Sequence, residues 1–313
     1  MLVTLLSLIA CGPNLPPIPT GGPADMPSDV AALEGWLSEQ EAAFPDIVPG
    51  AEKAVVWADP ESRERTPLSI VYLHGYSATR MEVDPLVQQV GEALGANVFF
   101  TRLAGHGRGN GPAMVDGTVE AWIHDGYEAL AAGRLLGERT VIIGTSTGGT
   151  LAAWLAAQPE TDVAGLVLMS PNFGPKAAGS RLLVMPGRSL LVKLVVGAEY
   201  SWEPRNEQQA RYWSHRYPSE SLFAMMELVT LVEGVDLGTI DAPTLVIYSP
   251  NDQVVDAEKI EARFPELGGV TRLVPVESVS DSSNHVLAGD ILAPEMTAPL
   301  TAEAVDFLRK TLE

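Results

Sequence analysis

The residues whose types and spacing could do chemistry lie in Gly144-Thr145-Ser146-Thr147-Gly148. A serine with glycine two residues away on each side is a candidate nucleophile when a strand runs into it and a helix leaves it. The sharp turn between the two lifts the hydroxyl clear of the backbone. Both flanks are present: Thr140 to Ile143 has β-type character, and Thr150 to Ala157 is compatible with a helix. Such a turn forces Ser146 into strained backbone, and side chains in place of the two glycines would strike the neighbouring strand and helix. The helix that follows points its free N–H groups and the positive end of its dipole at the serine, where negative charge is favoured. This is the apparatus of attack on a carbonyl. It needs a general base, an acid to orient that base, and donors for the oxyanion.

The remaining chemistry-bearing residues are sparse. The five histidines (His74, His106, His124, His215 and His285) are scattered, and there is a single cysteine, Cys11. They form no ligand cluster by spacing, so the sequence implies no metal or organic cofactor, and no intrachain disulfide is possible. The chain has 313 residues, 46% of them hydrophobic, which is ample for one α/β domain with an insertion. Forty acidic residues stand against 20 basic ones, a net charge of −20 that repels nucleic acid and anionic lipid surfaces and suits a solvated acidic exterior. No apolar run reaches the roughly 18–20 residues that span a bilayer.

The elements that must position the serine can be read in order. Asp29 can cap a helix over 30–43, with Val30, Leu33, Trp36 and Leu37 on one face to pack on the main domain. Strands are predicted at 52–57 and 68–73 around the polar turn Asp59 to Arg65, then a helix over 81–94 and a strand at 97–101. A helix around 118–134 leads to the strand before Ser146, and a nearly unbroken apolar run at 163–169 reads as a buried strand. From Ser170 to Ala242 there are 73 residues before the next strand, far more than a crossover needs. Strands at 243–248 and 269–275, a helix at 257–264 that Asp256 can cap, and a last helix at 301–312 complete the chain. Strands alternating with helices predict a mostly parallel central sheet flanked by helices.

Three motifs carry a resemblance. The strand ending in His74-Gly75-Tyr76, the turn Arg102-Leu103-Ala104-Gly105-His106-Gly107 and the turn around Ser146 occur in the order found in the α/β-hydrolase superfamily. Over roughly residues 52–312 the chain resembles its carboxylesterases and its serine aminopeptidase/monoacylglycerol lipase-like branch. The resemblance implies an α/β-hydrolase fold over residues 30–313, with a helical cap inserted at about 175–238 to roof the serine. It also implies a triad in the order Ser146, Asp252, His285, because the family places its acid after the strand at 243–248 and its base after the last strand. Asp256 and Asp281 remain alternative acids. The backbone N–H groups of Tyr76 and Thr147 become the oxyanion donors, while His74 and His106 brace loops and His215 belongs to the cap. The implied activity is cleavage of a small-molecule carboxylic ester through an acyl-enzyme.

Two other classes compete with that reading. A peptidase of the prolyl iminopeptidase type would use acidic cap residues, among Glu203, Glu207, Glu220, Glu227 and Glu233, to hold a substrate ammonium; those enzymes usually carry tryptophan where this chain has Thr147. A non-catalytic binding protein on the same scaffold would show a lost triad member, and none is missing. At the N-terminus, Met1 to Ala10 is a short apolar stretch, and Leu8-Ile9-Ala10-Cys11 resembles the lipobox of bacterial lipoproteins, although no Lys or Arg precedes it. Residues 12–29 hold six Pro and three Gly, the composition of a semi-rigid tether. The expectation is lipidation at Cys11 and a bacterial envelope location, with the cytoplasm as the alternative.

Overall fold

A computed structural model of the chain describes residues 21–109 and 111–312. Seven of its strands form one sheet: β1 (Ala54–Val56), β2 (Thr66–Leu73), β3 (Asn97–Phe100), β4 (Gly137–Thr145), β5 (Val163–Met169), β8 (Thr244–Tyr248) and β9 (Thr271–Pro275). Two more, β6 (Glu199–Ser201) and β7 (Arg216–Pro218), form a separate antiparallel ribbon. The sheet order is β1-β3-β2-β4-β5-β8-β9, parallel throughout except where β1 meets β3. The helices are α1 (Leu33–Glu41), α2 (Leu86–Leu94), α3 (Val119–Leu136), α4 (Thr147–Ala156), α5 (Arg188–Val195), α6 (Glu207–Tyr212), α7 (Leu222–Glu233), α8 (Ala257–Arg263) and α9 (Pro294–Leu312).

Both faces of the sheet are covered, which is why its central strands read as continuous apolar runs. Alternate residues of β2 go to opposite sides. Val71 and Leu73 join Ile142, Leu168, Trp122, Leu130 and Leu151 in a core under α3 and α4. Ile70 and Tyr72 join Val141, Ile143, Val167, Val90, Phe307 and Leu308 under α2 and α9. This parallel order brings the carboxyl ends of β2, β4 and β8 to one edge, where their loops can meet: Leu73 is level with Gly144, and Met169 with both Thr145 and Ile247.

Three elements differ from the sequence reading. The predicted helix over 81–94 is broken: a 3₁₀ turn at Arg80–Glu82 precedes α2, which starts only at Leu86. Pro85 has no N–H to donate and disfavours helical backbone at the residue before it. The last helix starts at Pro294 and runs on through Pro299; the ring removes one donor there without ending the helix. The inserted segment is also not wholly helical, since the β6–β7 ribbon lies between α5 and α7.

Candidate active site

The turn between β4 and α4 holds Ser146 at φ 52° and ψ −117°, a left-handed conformation that a side chain adopts only under constraint. Hydrogen bonds to the neighbouring strand and loop hold it: Ser146 N donates to Met169 O (2.9 Å), and Ser146 O accepts from Asn172 N (3.1 Å) as well as from Thr150 N (3.0 Å). Glycine is needed on both sides. A Cβ at Gly144 would lie 2.6 Å from Gly148 O, and one at Gly148 would lie 2.0 Å from Leu73 O.

The loop after β9 brings His285 to the serine, with its Nε2 3.0 Å from Ser146 Oγ. His285 Nδ1 is 2.8 Å from Asp252 Oδ2. Asp252 follows β8, is fully buried, and accepts Val254 N–H (2.7 Å) and Val255 N–H (2.9 Å) on its other oxygen. With Nδ1–H donating to the carboxylate, Nε2 presents a lone pair to the serine hydroxyl, the tautomer a general base needs. The two alternative acids do other work. Asp256 accepts Glu258 N–H (3.1 Å) at the start of α8. Asp281 Oδ2 accepts from Ser283 Oγ (2.5 Å), His285 N (3.0 Å) and Val286 N (3.1 Å), and its Oδ1 pairs with Arg205 from the cap. Asp281 thus holds the backbone of the histidine loop, whereas Asp252 holds the ring.

Tyr76 and Thr147 both line the cavity at Ser146. Among the described residues neither backbone N–H donates to a protein acceptor, so both are free for an incoming oxygen. Two buried histidines brace the loop that carries Tyr76. His74 Nδ1 lies 2.9 Å from Gly75 O, and its Nε2 accepts Leu103 N–H (3.0 Å), so one ring ties the β2 loop to the Arg102 turn. His106 Nδ1 lies 3.1 Å from Ala104 O, and its ring packs edge-on to Tyr76. Burial holds both rings in the neutral form: the pKa of His74 is driven well below the ordinary imidazole value, and that of His106 to about 4. Arg102 seals the turn by donating to His106 O and to Glu41 at the end of α1. His215 packs against Trp202 in the cap, and His124 is exposed on α3.

The cap roofs Ser146 with a cavity of about 350 Å³, whose walls include Tyr200, Trp202, Trp213, Tyr217 and Met225. Past Tyr200 and Met225 lies a second, apolar space of about 190 Å³, lined by Leu182, Leu183, Leu191, Val192, Val195 and Leu222. Some cap aromatics therefore face the serine, while Tyr212 packs in a small cluster with Val286 and Leu292. Two charged groups near the site escaped the sequence reading. Arg205, which reaches Asp281, carries no spacing signal. Glu82, buried beside Gly75, falls within the helix predicted over 81–94, where nothing in the sequence gives it a role.

The model of the serine aminopeptidase S33 family matches residues 65–274, most of the chain. The chain belongs to the serine aminopeptidase S33 family. The S33 match includes Ser146 and Asp252 and stops short of His285. A thermostable monoacylglycerol lipase from Bacillus sp. (strain H-257) is 25% identical over 198 residues, covering 63% of this chain and 76% of the relative. Among solved structures, one of the metagenome-derived lipolytic enzymes LipS and LipT superposes with a TM-score of 0.68 at 20% identity, covering 84% of this chain and 99% of its own. A monoacylglycerol lipase from Paleococcus ferrophilus gives 0.60 at 16% identity, with 83% and 98% covered. Est1E from Butyrivibrio proteoclasticus, bound to ferulic acid, gives 0.56 at 14%, with 83% and 95% covered. This S33-family chain therefore has the α/β-hydrolase fold and is an α/β-hydrolase.

Proposed function

We propose that this hydrolase cleaves uncharged carboxylic esters, of the carboxylesterase or monoacylglycerol lipase type, through an acyl-enzyme on Ser146. His285 Nε2 takes the Ser146 proton as Oγ bonds to the carbonyl carbon, and the oxygen that gains the electron pair accepts from Tyr76 N–H and Thr147 N–H. Collapse breaks the carbon–oxygen bond of the ester, and His285 passes its proton to the departing alcohol. Water then attacks the acyl-enzyme with His285 as base, releasing the carboxylic acid and restoring Ser146. Asp252 keeps the tautomer and stabilises the imidazolium.

The observation that carries this reading is the Ser146–His285–Asp252 relay, at 3.0 and 2.8 Å, set beside two uncommitted amides under an apolar roof. The lipolytic names of its relatives support an ester substrate. The ammonium-binding alternative has less behind it. Of the five cap glutamates, Glu220, Glu227 and Glu233 are engaged by Lys193, Arg188 and Arg181, Glu207 lines a different cavity, and Glu203 alone lines the cavity that holds the serine. The test is a panel of p-nitrophenyl esters beside aminoacyl-p-nitroanilides. Ser146→Ala should lower kcat by about 10³-fold or more and abolish fluorophosphonate labelling. Labelling that persists at another serine overturns the nucleophile, and faster turnover of anilides than of any ester replaces esterase with aminopeptidase.

The proposed lipoprotein signal at 1–11 and Cys11 itself lie outside the described residues, as does the first half of the tether, residues 12–20. The reading of a lipid-anchored envelope enzyme rests on Leu8-Ile9-Ala10-Cys11 and the Pro/Gly-rich stretch after it. Protein made in a bacterial host should begin at a lipidated Cys11, carrying diacylglycerol and an N-acyl chain, whereas an intact mass carrying Met1 and no lipid refutes the anchor.

A further inference from the structure

Glu82 is a buried carboxylate placed where four parts of the site converge. Its Oε1 accepts from Gly75 N (2.5 Å) and from the Tyr72 hydroxyl (2.7 Å), and that hydroxyl is 3.0 Å from Oγ1 of Thr145, the residue before Ser146. Oε2 lies over Gly75, where an added Cβ would come within 2.9 Å of it and within 3.3 Å of Ser146 Cβ. The stretch after His285 closes the other side, since a Cβ on Gly289 would lie 2.5 Å from Glu82 O. Gly75 O is held independently, by His74 Nδ1 at 2.9 Å and by Ala78 N–H at 3.2 Å. Both peptide groups of Gly75 are thus clamped, and the second of them carries the Tyr76 N–H.

We propose that Glu82 is the positioning residue of the oxyanion loop: it fixes Gly75 so that Tyr76 N–H faces the reacting oxygen, and its negative charge favours the imidazolium of His285. The proposal rests on Ser146, His285 and Tyr76 acting as described above. A carboxylate taken out of water is costly unless partners offset the loss, so a merely structural site would be served as well by a neutral side chain. Tyr72 and His285 are the titratable groups that act on Glu82. Burial raises its pKa to about 7, while the two donors and His285 pull the other way. It is therefore ionised above about pH 7.

The test uses the full chain with Glu82→Gln and Glu82→Ala, measuring kcat and KM separately on p-nitrophenyl butyrate from pH 5 to 9, with thermal melts and Ser146→Ala alongside. Alanine should lower kcat about tenfold or more with KM within about twofold, because the oxyanion bond exists only in the transition state. Glutamine keeps an acceptor oxygen for Gly75 and Tyr72 but loses the charge. It should hold kcat within about fivefold at pH 8 and move the acid limb of kcat/KM to lower pH, since removing an anion favours the neutral base. Wild-type kcat in alanine together with an unmoved acid limb in glutamine overturns the proposal, and so does a change confined to KM. If alanine does not fold, the acid limb of the glutamine variant decides by itself. Activity surviving in Ser146→Ala would sink the underlying mechanism, whereas an inactive Ser146→Ala beside wild-type kcat in Glu82→Ala and an unmoved acid limb in Glu82→Gln sinks only the role of Glu82.

Discussion

Asp252→Asn should be nearly inert although the side chain changes by one atom, and the surrounding donors say why. Asp252 Oδ1 accepts two backbone N–H groups, from Val254 and Val255, and Oδ2 accepts from His285 Nδ1. An asparagine must place its amide oxygen against those two donors, because its NH₂ there would meet two N–H groups and leave all of them unpaired in a fully buried site. The NH₂ then faces His285 Nδ1, which has to accept, and the ring proton moves to Nε2. A protonated Nε2 cannot take the proton from Ser146 Oγ at 3.0 Å. Loss of the tautomer costs on the order of 10⁴-fold in kcat in triads of this type, about 5 kcal/mol of transition-state stabilisation. Asp281→Asn is the control. Its amide oxygen can still serve Ser283 Oγ, His285 N and Val286 N, so what is lost is the ion pair with Arg205 and the long Ser283 N–H bond on the other oxygen (3.3 Å), neither of which touches the ring. That variant should melt earlier, by an amount equivalent to about 1–3 kcal/mol, while keeping kcat within roughly tenfold. The assay is initial-rate hydrolysis of p-nitrophenyl butyrate with melts of each protein. A crippled Asp281→Asn beside an active Asp252→Asn would refute the reasoning and make Asp281 the acid.

Two further outcomes follow from the cavity and from the buried histidines. Each acyl methylene that enters the cap should raise kcat/KM about fourfold, at roughly 0.8 kcal/mol per buried CH₂. Leu191→Trp, which narrows the 190 Å³ apolar space, should cost octanoate about tenfold or more and leave butyrate within about twofold; a series flat with chain length, or an equal loss for both esters, removes the pocket argument. His106 has a folded pKa of about 4 against an ordinary 6.5, so between those values the unfolded ring binds a proton that the folded ring refuses. Its contribution to stability is present above pH 6.5 and declines as pH falls toward 4, by on the order of 3 kcal/mol in all. Glu82 and Asp125, raised to about 7 and about 6, act in the opposite sense, so the measurement is a difference between proteins. Urea unfolding at pH 7 and pH 4.5 should show His106→Asn losing less stability on acidification than the parent, and parallel losses would contradict a buried neutral ring.

What the sequence determined by itself is whatever is encoded within a few residues. The strand, tight turn and helix around Ser146 were legible because a steric requirement, glycine at 144 and 148, is written into neighbouring positions. The buried strands at 163–169 and 244–248 were legible because a sheet covered on both faces needs continuous apolar runs. Asp29 and Asp256 were legible as caps because a cap acts two or three residues away. What only the tertiary structure decided are relations across the chain, which periodicity cannot carry. Asp252 and Asp281 are the same residue type on loops near one histidine, and only their donors separate them: one carboxylate meets the ring, the other the backbone. Glu82 lay within a predicted helix with nothing to mark it. That helix is interrupted before Leu86, and the carboxylate is buried against Gly75 and Tyr72. The cap aromatics were countable in sequence, but whether each filled the cap or faced the serine depended on a chain reversal through the β6–β7 ribbon, which short polar strands do not announce.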